Sequence, residues 1–145
     1  MIDPDVKPKR YLGLMLLVGL MGIISALFTF LFMIIVNRGI ALVWEQAALA
    51  IGLDPRLFTL LICTAGGLLV GLLVKLFGDH NAIFADIMLE FGKTGRFDYR
   101  NAPGIIITAL VSLISGGSLG PEAPLADGCG GIGTWLSDRF KLKEN

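Results

Sequence analysis

The residues whose types and order suit chemistry lie in one run, Gly116-Gly117-Ser118-Leu119-Gly120-Pro121-Glu122-Ala123-Pro124. Gly120 frees the backbone, and Pro121 suits the first helical position, where its missing N–H costs nothing. Glu122 falls in the first turn, where a carboxylate meets the positive end of the helix. A helix therefore begins near Pro121. In apolar surroundings its orphan N–H groups need a polar partner, since hydrocarbon leaves each one unsatisfied at a large cost. An anion is the natural partner for the donors between Leu119 and Ala123.

Other groups are weaker candidates. Asp127 follows on the same helix and is an intramembrane carboxylate, a functional candidate by its setting alone. His80, the single histidine, stands near Asp79 and Asp86 and can be drawn as a metal or proton site, against the plainer reading of a surface-loop residue. Ser118 has no histidine on its apolar element to activate it, so the chain is not expected to be an enzyme. Cys63 and Cys129 have neither CxxC spacing nor the look of a disulfide framework and read as small packing residues. No metal or cofactor is expected beyond a transported anion.

These residues sit in a chain built for lipid. Of 145 residues, 54% are hydrophobic and 17% charged, with mean hydropathy +0.76, so charges are too sparse to cover a globular surface. Twelve basic and twelve acidic residues cancel, which excludes nucleic acid as a partner and leaves the bilayer. Residues 11–36 form a first span. It follows Lys7, Lys9 and Arg10, which place the N-terminus in the cytoplasm, and it is too long for a signal peptide. At about 1.5 Å per residue it nears 40 Å, more than the roughly 30 Å hydrocarbon core, so it tilts or protrudes. Gly13, Gly19, Gly22 and Ser25 give it a side for close helix contact.

Residues 37–56 are punctuated by Arg38, Glu45, Gln46, Asp54 and Arg56 and read as an interfacial extension with Trp44 at headgroup level. Residues 57–77 form a second span, whose Gly66, Gly67 and Gly71 suit helix approach. The polar stretch 78–101 follows on the cytoplasmic side, with a short amphipathic helix over 82–91 and a turn at Gly92-Lys93-Thr94-Gly95. Helices over 103–116 and 121–138 then flank the glycine run. The first is too short to span alone. Two short helices meeting at a break make a discontinuous element lining a polar cavity; the plainer alternative is a hairpin turning at the membrane surface.

Gly-Ser-Leu-Gly-Pro-Glu at 117–122, the run Gly128-Cys129-Gly130-Gly131-Ile132-Gly133, and Trp135-Leu136-Ser137-Asp138 resemble the second signature of the CLC family of voltage-gated chloride channels and proton/chloride antiporters. The resemblance implies that Gly117, Ser118, Leu119, Gly120, Pro121, Glu122 and Ala123 are the anion-binding and gating residues. Leu119 falls where the family has a gating, proton-carrying glutamate, so the comparison favours passive conduction over antiport. Glu122 is either a displaced gate or a partner of first-turn N–H groups. The family's earlier Gly-Ser-Gly-Ile-Pro-Glu signature has no counterpart at Gly78-Asp79-His80-Asn81.

The expected fold class is an all-α integral membrane protein, one membrane domain over 1–145, similar to the N-terminal portion of a CLC-type fold and incomplete relative to it. The expected function is channel-like transport of chloride or another anion in the cell membrane, by a multi-pass protein acting as a homodimer or with complementing membrane segments. The alternative is a non-conducting fragment or a small assembly subunit.

Overall fold

A computed structural model describes residues 8–78, 89, 91–97, 99–118 and 120–139. Helix α1, Pro8–Ile40, continues without interruption through a wide π-helical stretch, Ala41–Ala47, into α2, Ala48–Ile51. The interfacial extension expected over 37–56 is helical as far as Ile51 and continuous with α1. Arg38, Glu45 and Gln46 punctuate it without breaking it, because isolated polar side chains leave helix dihedrals unaffected. The break comes where the backbone demands it. Gly52 takes a left-handed φ of 63° and returns its N–H to Ala48 O at 3.3 Å, ending α2. Asp54 accepts the Arg56 N–H at 2.8 Å and Pro55 follows, which starts α3, Pro55–Phe77. Helices α4, Ala102–Ile114, and α5, Glu122–Arg139, complete the order, and among the described residues there is no strand.

Met15–Ile51 and Pro55–Phe77 are long and apolar enough to cross a membrane, with hydropathies of 2.5 and 2.4. Only 6% and 11% of their most apolar stretches are buried against the rest of the chain, which a core helix of a water-soluble fold would not tolerate. Leu16, Leu60 and Leu68 are among the large apolar side chains left exposed for lipid to solvate.

The shorter helices form a hairpin held in the angle of the longer ones. Helix α4 runs antiparallel to α3: Gly104 receives Phe77 near one end, and Ser115 sits on the bare face of Gly66 at the other. Helix α5 runs back along α4, with Gly131 against Ala102 and Gly128 against Ile106. Helix α1 covers the pair through Phe28 on Gly128 and Ile114 on Gly39. Cys129 lies between them, its Sγ 3.6 Å from Thr29 Oγ1, which agrees with its reading as a packing residue.

Depth follows from one contact. Gly66 stands midway along α3, about 17 Å from either end at 1.5 Å per residue, so the hairpin turns at half the thickness that α3 spans.

Several glycines chosen from sequence as contact sites prove open. Gly13, Gly19, Gly22, Gly67 and Gly71 have nothing within 4 Å of an added Cβ, whereas Gly66 has Ser115 there. We expect Gly66→Val to overpack this contact and destabilise the fold by about 1–3 kcal/mol. Gly67→Ala, adding a methyl in open space on the same helix, should be neutral or stabilising by up to about 1 kcal/mol. Thermal unfolding of the two variants in one detergent checks the contrast, and equal melting shifts would refute it.

Candidate functional site

A helix end leaves four carbonyls without intrahelical donors. At the end of α4 all four are supplied. Val111 O accepts the Ser115 N–H at 3.0 Å, Ser112 O the Gly117 N–H at 2.8 Å, and Leu113 O the Gly116 N–H at 3.2 Å. The last two bonds, with Gly116 at φ 98°, make a Schellman closure. Ile114 O accepts the indole N–H of Trp44 at 2.9 Å, from a residue far away in sequence. Trp44 also presents its ring edge-on to Phe58, centroids 6.1 Å apart, and its Cζ2 would lie 3.0 Å from any Cβ on Gly116. Cys63 Sγ reaches Ser115 O at 3.6 Å. Trp44 therefore braces the break, a position its sequence setting did not disclose.

The start of α5 is its counterpart in donors. Leu125 N–H bonds Pro121 O at 3.0 Å, so Pro121 is the cap and Glu122 the first helical residue, one place later than expected. Pro124 occupies the third helical position and has no N–H. The orphan donors are thereby reduced to the N–H groups of Glu122 and Ala123, for which no acceptor exists among the described residues. The Glu122 side chain is exposed and folds back over Gly120; a Cβ there would lie 2.6 Å from Oε2. It lies where a first-turn carboxylate is electrostatically favoured.

A cavity of about 220 Å³ lies beside this helix start. Val70, Val74 and Phe77 of α3 wall one side, Thr108 and Ser112 of α4 another, and Gly120, Ala123 and Pro124 complete it. Thr108 Oγ1 donates to Gly104 O at 2.8 Å in its own helix, which leaves the Ser112 hydroxyl as the wall's available side-chain donor on α4. The residues expected to form the site thus divide. Gly120 and Ala123 line the cavity, while Gly117 serves α4's end through its N–H. Pro121 and Glu122, between Gly120 and Ala123 in sequence, are not part of the cavity lining, Ser118 is exposed, and Leu119 lies outside the described residues. Thr108 and Ser112 were missed, although their i, i+4 spacing marks one polar stripe on an otherwise apolar helix.

Asp127, in the second turn of α5, is buried with 6% of its surface exposed. His80, Asp79 and Asp86 lie outside the described residues. Among those described, no three histidine, cysteine or acidic side chains are grouped to hold a metal. The far end of α5 is clamped separately. Phe97 N–H bonds Thr134 Oγ1 at 3.1 Å, Phe91 stacks on Phe97 at 4.8 Å, and Arg96 pairs with Asp138 at 3.1 Å. That ion pair is largely exposed and contributes little. Residues 91–94 are helical and Gly95 ends them at φ 65°, its N–H on Phe91 O at 2.7 Å, so the helix runs three residues past its expected end at 91; apart from 89 and 91, the helix expected over 82–91 lies outside the described residues.

Comparison with known families gives one result. The family model described as voltage gated chloride channel matches residues 66–145, more than half of the chain. The matched part begins at Gly66, where the break packs, and takes in α4, the turn and α5. Neither the curated proteins nor the solved structures give a match.

The geometry around Gly116 is directly testable. Gly116→Ala places a side chain at φ 98° and against the Trp44 ring, and should cost about 2 kcal/mol or more. Gly133→Ala, with nothing near it inside α5, should not destabilise. Unfolding midpoints that fail to separate the two would overturn the assigned backbone conformation.

Proposed function

Because the chain belongs to the voltage gated chloride channel family, whose members carry out chloride transport in membranes, we propose that it passes chloride or a similar anion in a channel-like manner. The anion is held by the backbone N–H groups of Glu122 and Ala123 at the start of α5. The observation that carries this reading is the setting of that helix start: it faces a cavity that α3 walls from Val70 to Phe77, with two donors unused. Orphan N–H groups at a helix N-terminus attract anions through both hydrogen bonding and the helix dipole. Two dipolar donors hold chloride without the depth of a fixed positive charge, and release is as necessary to conduction as binding.

Passive passage is favoured over proton exchange by Leu119. It stands where the resembling family has its gating glutamate, and an isobutyl group neither ionises nor imitates chloride. Glu122 takes a lesser part in this scheme, as a negative charge beside the opening that slows entry.

The protein is multi-pass in this reading, with its N-terminus in the cytoplasm. Met21 of α1 shares a cavity with Arg96 and Phe97, so Lys75, Lys93, Arg96, Arg100 and Arg139 gather toward the end at which α1 begins. That asymmetry follows the positive-inside rule. The open glycine face of α3 at Gly67 and Gly71 suits a second copy or another membrane segment.

Chloride efflux from liposomes carrying the purified protein tests the proposal. Wild-type protein should conduct. Gly120→Val, whose side chain invades the Glu122 carboxylate and narrows the cavity, should reduce efflux at least about tenfold. Glu122→Gln, removing an exposed negative charge beside the path, should raise it about two- to fivefold. Wild-type efflux no faster than from empty liposomes, or a Gly120→Val variant that conducts normally, would sink the reading.

A further inference from the structure

We propose that Trp44 is a positioning residue for the anion site, its indole N–H neutralising the last carbonyl of α4 so that α5 donors, and no α4 acceptor, govern the break. This rests on the reading of α5's start as the anion site. Three of the four terminal carbonyls of α4 are satisfied by the chain's own turn, at Ser115, Gly116 and Gly117. Only Ile114 O depends on a distant side chain, and Trp44 Nε1 meets it at 2.9 Å. Ile114 directly follows Leu113, which lines the same cavity as Gly120 and Ala123. A bare carbonyl there would place partial negative charge at the negative end of α4, where a passing anion needs the opposite sign.

The backbone is shaped to deliver this bond. Phe32 and Val36 form the buried row of α1. At roughly 100° per residue, Trp44 would stand about 80° round the helix from Val36. The π-helical stretch Ala41–Ala47, with its i→i+5 bonding, winds less per residue and returns Trp44 toward that row. Phe58, edge-on at 6.1 Å, and the bare Gly116 then fix the ring. A tryptophan serving only to fill space would need neither the wide turn nor the aligned N–H.

The test compares Trp44→Phe, which keeps an aromatic ring and removes the N–H, with Phe58→Leu, which loosens the ring contact and leaves the N–H in place. Three quantities are read on each purified variant: chloride efflux, the chloride-over-potassium permeability ratio from reversal potentials in planar bilayers, and the thermal shift given by chloride relative to gluconate. Trp44→Phe should lower efflux about tenfold, as expected for a half-buried carbonyl left unpaired, with a falling permeability ratio and a smaller chloride-induced shift. Phe58→Leu should lower the melting temperature and leave the permeability ratio unchanged. A Trp44→Phe protein with wild-type ratio and chloride shift overturns the proposal, as do equal losses of ratio in both variants, which would make the role one of packing. A wild-type protein that neither conducts nor is stabilised by chloride overturns the anion site itself. Conduction by wild type with no difference in Trp44→Phe overturns only the inference about Trp44.

Discussion

Everything in this structure answers to the demand that backbone polar groups away from water find partners. Long helices meet it internally, and α1 and α3 need nothing further along their lengths. A hairpin that packs its turn against the middle of α3 has two helix ends to satisfy. The two ends are treated unequally. All four terminal carbonyls of α4 have donors, three from the turn and one from Trp44. The start of α5 retains two open donors, with Pro124 removing a third. Of the two helix ends, one has its acceptors filled and the other keeps two open donors. The polarity of the break comes from backbone accounting, with no lysine or arginine at the turn.

Close packing makes that accounting possible. Between helices in lipid the hydrophobic effect offers little net attraction, so association depends on contact area and close approach. Gly39, Gly66, Gly104, Gly128 and Gly131 each receive a neighbouring side chain or helix face where a Cβ would intrude. Their partners, Ile114, Ser115, Phe77, Phe28 and Tyr99, belong to other segments of the chain. The contacts at Gly39 and Gly66 bracket the end of α4 from both sides. They fix the level of the break as well as its identity, which is why Trp44 and Cys63 reach it.

The sequence disclosed the break itself, because Gly120, Pro121 and Glu122 state a helix start in local terms that tertiary structure rarely overrides. The second span and both short helices were legible for the same reason: the breakers at Gly52, Pro55, Gly78, Pro103 and Gly116 act within a few residues. What escaped notice depends on distance or phase. Gly66 and Gly67 are equivalent in sequence, yet only one faces α4, and helix rotation is not written locally. Gly117 looked like part of the anion site but serves the end of α4, since two glycines in succession suit a Schellman closure as well as a ligand loop. Trp44 matched the usual role of an interfacial aromatic, and nothing near it indicates a partner about 70 residues away.

Those separations also bear on the order in which the molecule assembles. Trp44 meets Ile114 across 70 residues and Thr29 meets Cys129 across 100, whereas α1 and α3 each form from local bonds alone. Helices able to cross the bilayer insert as independent units, and contacts between remote segments come later because closing long loops is entropically costly. The α4–α5 hairpin is too short to stand in the membrane by itself and has no stable seat until Gly39, Gly66 and Trp44 are in place. The hairpin thus bridges the two long helices, packing on α1 and on α3 more extensively than they pack on each other.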